Sequence, residues 1–231
     1  DGYVQGPSTL TKYQPGDSVP GLNVGGWHDA GDFDLRIESQ AGECYILALA
    51  YEAFNVNYDT TTVDQAHKVV EIHQPDGRND ILQQIEHGML SVVGGYRSLG
   101  RLYRGIICSH LRQYVLLGDS AAMTKNIKGD DDDRWVFTED NPPRELTTAA
   151  QLAASSRALK GFNDELSAHA LEVAQELYRV TRVEDDEALS AKIHAAAELL
   201  LTTGEEVYRS FLLENLNFIA KNIKNLGWIA A

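Results

Sequence analysis

The amino-acid sequence predicts an all-α protein built from helical hairpins, and three observations support that prediction. After Glu38, most apolar residues recur at helical spacing in segments bounded by glycine or by polar residues. The links between these segments are short, which favours antiparallel neighbouring helices. Alanines crowd the apolar faces of the later segments, and small side chains allow helices to approach closely. Helical hairpins repeated at about 40 residues favour an α/α solenoid or toroid.

The elements follow from this periodicity in chain order. Residues 1–37 are rich in Gly, Pro, Asp, Ser and Thr without sustained periodicity, so we expect a loop segment there. A polar loop is expected again over residues 118–144. Between and beyond these loops we expect about eight helices and no strand, with Asn79 capping the third helix. The predicted helices cover residues 38–54, 61–73, 81–93, 99–117, 146–160, 165–181, 186–203 and 205–224.

The composition limits the partners of the chain. Its 231 residues are 43% hydrophobic, which is enough to bury the core of one large domain. The net charge of −14 argues against binding to nucleic acid, because phosphate contacts need clustered Lys and Arg. No apolar run is long enough to predict a membrane span. The two cysteines, Cys44 and Cys108, are too few for a disulfide framework and are expected to be buried thiols.

The most unusual stretch of the sequence is Gly25–Asp34, which reads GGWHDAGDFD. Glycines that can adopt positive φ predict a tight loop here, with the carboxylates of Asp29 and Asp32 beside the indole of Trp27. A carboxylate can take a proton from water while an indole stacks on a pyranose ring. The pattern therefore favours hydrolysis of a sugar polymer.

The same carboxylates have other interpretations. Asp29, Asp32 and Asp34 among glycines could bind calcium, although the spacing does not match an EF-hand. The loop could also be only a solvated acidic loop. The seven histidines contain no zinc-binding pattern such as His-Glu-x-x-His, so we expect no metal centre built on them.

The run Gly25–Asp32 resembles the Gly-Gly-Trp-Tyr-Asp-Ala-Gly-Asp signature of glycoside hydrolase family 9, which contains many cellulases and some exo-acting enzymes. Weaker similarities to the same family occur at residues 79–82, 133–139 and 149–155. The resemblance implies an (α/α)6 barrel, a six-hairpin toroid. We expect residues 1–231 to form a partial catalytic domain with about two-thirds of that barrel, because the sequence holds too few helices to close it.

The resemblance also implies a reaction and a set of site residues. It implies inverting hydrolysis of β-1,4-glycosidic bonds in glucan-type polysaccharides or oligosaccharides, with Asp32 as the general base and Asp29 holding the same water. The general-acid glutamate is expected outside this chain. Trp27, His28 and Trp135 are the expected substrate-binding residues, with His28 in place of the family's usual tyrosine.

The resemblance further implies a polysaccharide or oligosaccharide as the partner, no cofactor apart from a possible structural calcium ion, and a secreted or periplasmic location. The resemblance implies an endoglucanase-like enzyme, and the departures from the common motif at His28 and at Phe33-Asp34 indicate a divergent subgroup that could instead be an exo-acting glucosidase or glucosaminidase. The competing hypothesis is a non-catalytic α/α module that binds a glycan or a protein through the Trp27 loop.

Overall fold

The structure, a computed structural model, describes residues 10–14, 17–22, 24–28, 35–108 and 134–223. The chain divides into two compact units. The first unit comprises Asp1–Glu43, Asp64–Val69 and His87–Asp140, and the second comprises Cys44–Val63, Val70–Glu86 and Asn141–Ala231. That residues 1–231 form a single catalytic domain stays a prediction.

The described residues are mainly helical, as the sequence predicts. The helix predicted over residues 81–93 is the second helix of the structure. Asn79 caps it as expected, because its Oδ1 accepts hydrogen bonds from the N–H groups of Ile81 and Leu82. The predicted last helix is interrupted at Asn215, where two short helices meet. The helices are α1 (Ile37–Phe54), α2 (Asp80–Leu99), α3 (Pro142–Leu159), α4 (Asp164–Val180), α5 (Asp186–Thr203), α6 (Glu206–Glu214) and α7 (Leu216–Asn222).

The expectation of no strand is wrong. The structure contains β1 (Leu35–Arg36), β2 (Thr61–Asp64), β3 (Val69–Ile72), β4 (Tyr103–Cys108) and β5 (Arg134–Thr138). The strands β1, β4 and β5 form an antiparallel three-stranded sheet in the order β1-β4-β5, and β2 and β3 form a two-stranded sheet.

Two predicted helices fail for identifiable reasons. The helix expected over residues 61–73 is the hairpin β2–β3, because β-branched threonines, valines and isoleucine fill both arms. A helix expected over residues 99–117 cannot start there, since Gly100 ends α2 with φ of 69° and its N–H donates to the carbonyl of Tyr96. Residues 103–108 form β4 instead, and residues 109–117 lie outside the described part of the chain.

In the first unit, a close backbone approach holds the chain before the acidic motif against α2. A Cβ added to Gly94 of α2 would lie only 2.3 Å from the carbonyl oxygen of Gly21. Gly21 itself has φ of 77°, so glycine is required on both sides of this contact. Leu22 is fully buried beside it. The chain therefore approaches Gly25 from a fixed position on α2.

In the second unit, α3, α4 and α5 are layered helices that share a core rich in alanine. Each of the three begins at a polar side chain that accepts a hydrogen bond from a first-turn N–H: Asn141 for α3, Asn163 for α4 and Asp185 for α5. Gly204 ends α5 in the left-handed conformation. The small buried side chains that allow this close packing include Ala149, Ala150, Ala153, Ala154, Ala170, Ala174, Ala195 and Ala196.

A partly buried polar network joins three helices of the second unit. His194 Nε2 donates to the hydroxyl of Tyr45 (3.1 Å), and that hydroxyl donates to Glu198 Oε1 (3.0 Å). Arg157 binds Glu198 Oε2 (3.1 Å) and both carboxylate oxygens of Glu52 (2.7 and 2.9 Å). Burial raises the pKa of Tyr45, with the Glu198 charge acting in the same direction.

His194 in this network stays neutral. Burial lowers its pKa to about 3, although Glu198 Oε1 lies 3.9 Å from its Nε2. The cost of burying an imidazolium outweighs that attraction, because Arg157 already compensates the Glu198 charge.

Cys44 is a buried thiol, as predicted, and its sulfur lies 3.6 Å from the carbonyl oxygen of Ile85. The side chain of Cys108 lies outside what the structure describes. Along the described residues, no helix combines the length and the apolar character needed to cross a membrane.

Candidate active site

The start of the acidic motif is a glycine turn docked on helix α2. Gly25 and Gly26 have φ of 71° and 81°, in the left-handed region. A Cβ on Gly25 would lie 2.1 Å from the carbonyl oxygen of His87, and one on Gly26 would lie 2.8 Å from Gln40 Oε1. Neither position has room for a larger residue. The first two glycines of the motif are thus explained by the close approach of the chain to α2 and to the Gln40 side chain.

Gln40, in the first turn of α1, binds the backbone of Trp27 at both of its polar groups. Trp27 N–H donates to Gln40 Oε1 (2.7 Å), and Gln40 Nε2 donates to the Trp27 carbonyl oxygen (2.7 Å). Gln40 is only 1% exposed, so water does not compete for these bonds. The result is a buried two-point attachment directly before the acidic residues.

His87, on α2, binds the neighbouring residue of the motif. The Gly26 N–H donates to the His87 carbonyl oxygen (2.9 Å), and His87 Nε2 donates to the Gly26 carbonyl oxygen (2.8 Å). The other ring nitrogen, Nδ1, lies 2.8 Å from Nε2 and 3.1 Å from Oε1 of Gln65, in the turn of the β2–β3 hairpin. Because Nε2 of His87 donates to the Gly26 carbonyl, Nδ1 is free to accept from Nε2 of Gln65, and Gln65 fixes the orientation of the ring.

The side chain of Trp27 packs partly against the same histidine. The centroids of the two rings are 5.6 Å apart, with an angle of 56° between the ring planes. Trp27 is half-buried and His28 is exposed. The two predicted substrate-binding residues thus have side chains that are at least partly open to solvent.

The far end of the motif is held by the three-stranded sheet. Leu35 and Arg36 form β1, in which Leu35 pairs with Ile106 of β4. Trp135 lies in β5 and pairs with Ile107 of β4. The backbones of Leu35 and Trp135 are therefore two strands apart, or about 10 Å. The sheet brings the backbone of Trp135 near the end of the acidic loop.

The acidic residues lie between these two attachments. The calcium and catalytic interpretations both depend on Asp29, Asp32 and Asp34. These three residues lie outside the described part of the chain. In the part of the chain that the structure describes, no group of three or more His, Cys, Asp or Glu side chains is arranged to hold a metal ion. What the structure provides is two fixed points within one unit, the Gly26–Trp27 backbone before the acidic residues and β1 after them.

The family model that matches the chain is that of glycosyl hydrolase family 9, and the match covers residues 4–229. The chain belongs to this family. No curated protein matches the sequence.

Solved structures with the same fold support this assignment. A metagenome-derived family 9 endoglucanase is 22% identical, with a TM-score of 0.60 over 84% of this chain and 35% of its own. A family 9 protein from Bacteroides ovatus is 18% identical, with a TM-score of 0.56 over 82% of this chain and 37% of its own. The endoglucanase of the termite Nasutitermes takasagoensis is 17% identical, with a TM-score of 0.56 over 84% of this chain and 45% of its own.

These matches confirm the predicted fold class, the all-α (α/α)6 barrel of the family, of which this family 9 chain carries part. The chain spans 35 to 45% of the length of the three structures described above.

Sequence reasoning found the motif but missed the residues that hold it. Gln40 lies in a segment whose pattern predicts only a helix, and His87 is one of seven histidines that match no zinc-binding pattern. A lone glutamine on the buried face of α1 was the available signal, because a buried amide must find hydrogen-bonding partners. Nothing in the sequence indicated that the partner is Trp27.

Proposed function

We propose that the whole protein of which this chain is part hydrolyses β-1,4-glycosidic bonds in a glucan with inversion of configuration. The observation that carries the proposal is the family match over residues 4–229, which includes the acidic motif. The fixed ends of the motif in the first unit support it, because catalytic groups need a rigid frame.

In this proposal Asp32 is the general base, and Asp29 holds the same water. Two carboxylates that share one water repel each other and titrate as a coupled pair, so at least one stays ionised near neutral pH. Asp29 and Asp32 are only three residues apart and cannot flank the scissile bond from opposite sides. Inversion requires an acid about 6.5–9.5 Å from the base, which we assign to a glutamate outside this chain.

Trp27, His28 and Trp135 are the proposed sugar contacts. A half-buried indole held by its own backbone offers a rigid apolar face to a pyranose ring. The exposed His28 can reach a sugar hydroxyl as a donor or an acceptor. The proposal needs no cofactor, because water and two carboxyl groups suffice for hydrolysis. A polymeric glucan cannot cross a membrane freely, so we place the enzyme outside the cytoplasm, either secreted or periplasmic.

The test uses the full-length protein with Asp32→Asn, Asp29→Asn and, as a matched control, Asp186→Asn. Asp186 is an exposed aspartate in the first turn of α5. Loss of a general base typically costs about 10²- to 10⁴-fold, so we expect kcat on soluble β-1,4-glucan to fall at least that far for Asp32→Asn. We expect a smaller fall for Asp29→Asn and no change for Asp186→Asn. Unchanged turnover of the Asp32 variant would remove it from the role of base.

The stereochemistry is tested separately by following the anomeric proton of the first product by NMR. Inversion of a β-linkage gives the α-anomer first, whereas a β-anomer would contradict the inverting mechanism. The ratio of viscosity loss to reducing ends released distinguishes endo from exo attack on the same substrate.

A further inference from the structure

Helix α1 does not need a polar side chain at position 40, so the amide of Gln40 calls for another explanation. An apolar residue would serve at this 1% exposed position, and a buried amide without partners would be unfavourable. Both ends of the amide instead bind one residue, Trp27, with two bonds of 2.7 Å. The amide thus contacts the main chain of Trp27 much as a neighbouring strand would.

This attachment depends on the glycine before it. Gln40 Oε1 lies 2.8 Å from the place that a Cβ on Gly26 would occupy. Only glycine at position 26 lets the amide reach Trp27. Gly26 is held in turn by His87, so two consecutive residues of the motif are attached to helices α1 and α2 within the first unit.

We propose that Gln40 is a positioning residue for the hydrolysis: by fixing the backbone of Trp27, it sets the place from which the chain continues to Asp29 and Asp32. The inference rests on the proposed function. Trp27 precedes Asp29 by only two residues in the sequence, so a shift of the Trp27 backbone changes the point from which the chain leads to Asp29. Misplacement of a catalytic group by about 1 Å can cost about 10²-fold in rate.

The first experiment compares Gln40→Met with Gln83→Met in the full-length protein. Methionine keeps the length of the side chain and removes both hydrogen bonds. Gln83 is the matched control, because it is also a fully buried glutamine, in α2, and its Nε2 donates to Asp76 Oδ2 (2.6 Å). We expect kcat of Gln40→Met to fall about 10- to 100-fold with a smaller change in KM, and kcat of Gln83→Met to stay within about twofold. A kcat of Gln40→Met within about twofold of wild type, or an equal loss in both variants, would overturn the proposal.

The second variant, Gln40→Glu, separates positioning from folding. An ionised carboxylate accepts from the Trp27 N–H but cannot donate to the Trp27 carbonyl, whereas a protonated one does both. We therefore expect the kcat of Gln40→Glu, relative to wild type at the same pH, to rise as the pH is lowered from 7 to 5. A ratio that does not change with pH would count against the two-point attachment.

A measurement that does not depend on catalysis distinguishes a failure of this inference from a failure of the proposed function. Hydrogen exchange of the Trp27 amide, measured by NMR, should accelerate about tenfold or more in Gln40→Met and stay as in wild type in Gln83→Met. Unchanged exchange at Trp27 would overturn the holding role of Gln40. If wild type cleaves no β-glucan, the proposed function fails, and the exchange rates still decide whether Gln40 fixes Trp27.

Discussion

Gln40 in the first unit and Glu198 in the second are both buried polar side chains on helices, and they are satisfied in opposite ways. Gln40 is neutral, and both ends of its side-chain amide bind the main chain of a single residue, Trp27. Glu198 is charged and is bound by two side chains, those of Tyr45 and Arg157. One arrangement fixes a loop, and the other joins helices.

This difference predicts how substitutions in each region affect stability and activity. Arg157 also binds Glu52 and Thr202, so it has several hydrogen-bonding partners in the network of the second unit. We expect this network to contribute mainly to overall stability. The start of the motif in the first unit is held by a few bonds from Gln40 and His87 to the backbone of Gly26 and Trp27. Changes there are expected to have sharp local effects on position and on activity.

The largest effect is expected for Gly25→Ala, compared with Gly100→Ala in the same unit. Both glycines have a positive φ, but only Gly25 would place its Cβ against backbone, 2.1 Å from the His87 carbonyl oxygen. We expect Gly25→Ala to lower the free energy of unfolding by about 4 kcal/mol and Gly100→Ala by about 1 kcal/mol, measured by urea denaturation. Equal costs would show that the turn is not pressed against α2.

A second test removes the cation from the other region. Arg157→Met leaves the Glu198 carboxylate, which is 8% exposed, without its positive partner. We expect a loss of about 3 kcal/mol in unfolding free energy. The same measurement on Arg157→Met/Glu198→Gln should recover part of that loss, because the uncompensated charge is gone.

Arg209→Met is the control for this second test, since Arg209 and Glu206 form an exposed pair. That variant should change the free energy of unfolding little, because solvent screens an exposed pair. If Arg157→Met were as mild as Arg209→Met, the network would not carry the stability assigned to it.

The smallest effect is a pH dependence in the second unit. Burial lowers the pKa of His194 to about 3 in the folded protein, against about 6.5 in the unfolded chain. The unfolded state therefore binds the extra proton first, and stability is lost as the pH falls from about 6.5 towards about 3, at about 1.4 kcal/mol per pH unit. At pH 5 the loss is about 2 kcal/mol.

Urea denaturation at pH 7 and at pH 5 measures this term, with His194→Gln as the reference because it cannot titrate. The fall in stability should be smaller in His194→Gln by about 2 kcal/mol. An identical pH dependence in the two proteins would mean that His194 is not the titrating group.

The sequence predicted the helices of the second unit well, because local signals define them. Asn141, Asn163 and Asp185 start helices where the apolar periodicity begins, and Gly204 ends one. The strands were missed because their signals conflict. Valines and threonines over residues 61–72 fit a helical stripe as readily as a strand, and the pairing of Leu35 with Ile106 joins residues far apart in the chain.

The candidate site was predicted only as far as its motif. The glycines, Trp27 and the aspartates form an unusual local pattern that a sequence can reveal. The bond between His87 and Gly26 joins residues 61 positions apart, and that between Gln40 and Trp27 depends on how α1 is oriented. Such contacts follow from the packing of helices, which no local pattern encodes.

His87 binds both backbone polar groups of Gly26. The His87 carbonyl oxygen accepts from the Gly26 N–H, and His87 Nε2 donates to the Gly26 carbonyl oxygen. Gly26 is thereby held in register on α2, so a residue inserted between Gly26 and Asp29 would lengthen the chain between this attachment and both Asp29 and Asp32 by one residue. Libraries that vary chain length near the motif should leave residues 26–32 intact, and also Val19 and Pro20, because Val19 is buried and Ser98 of α2 donates to the Pro20 carbonyl oxygen.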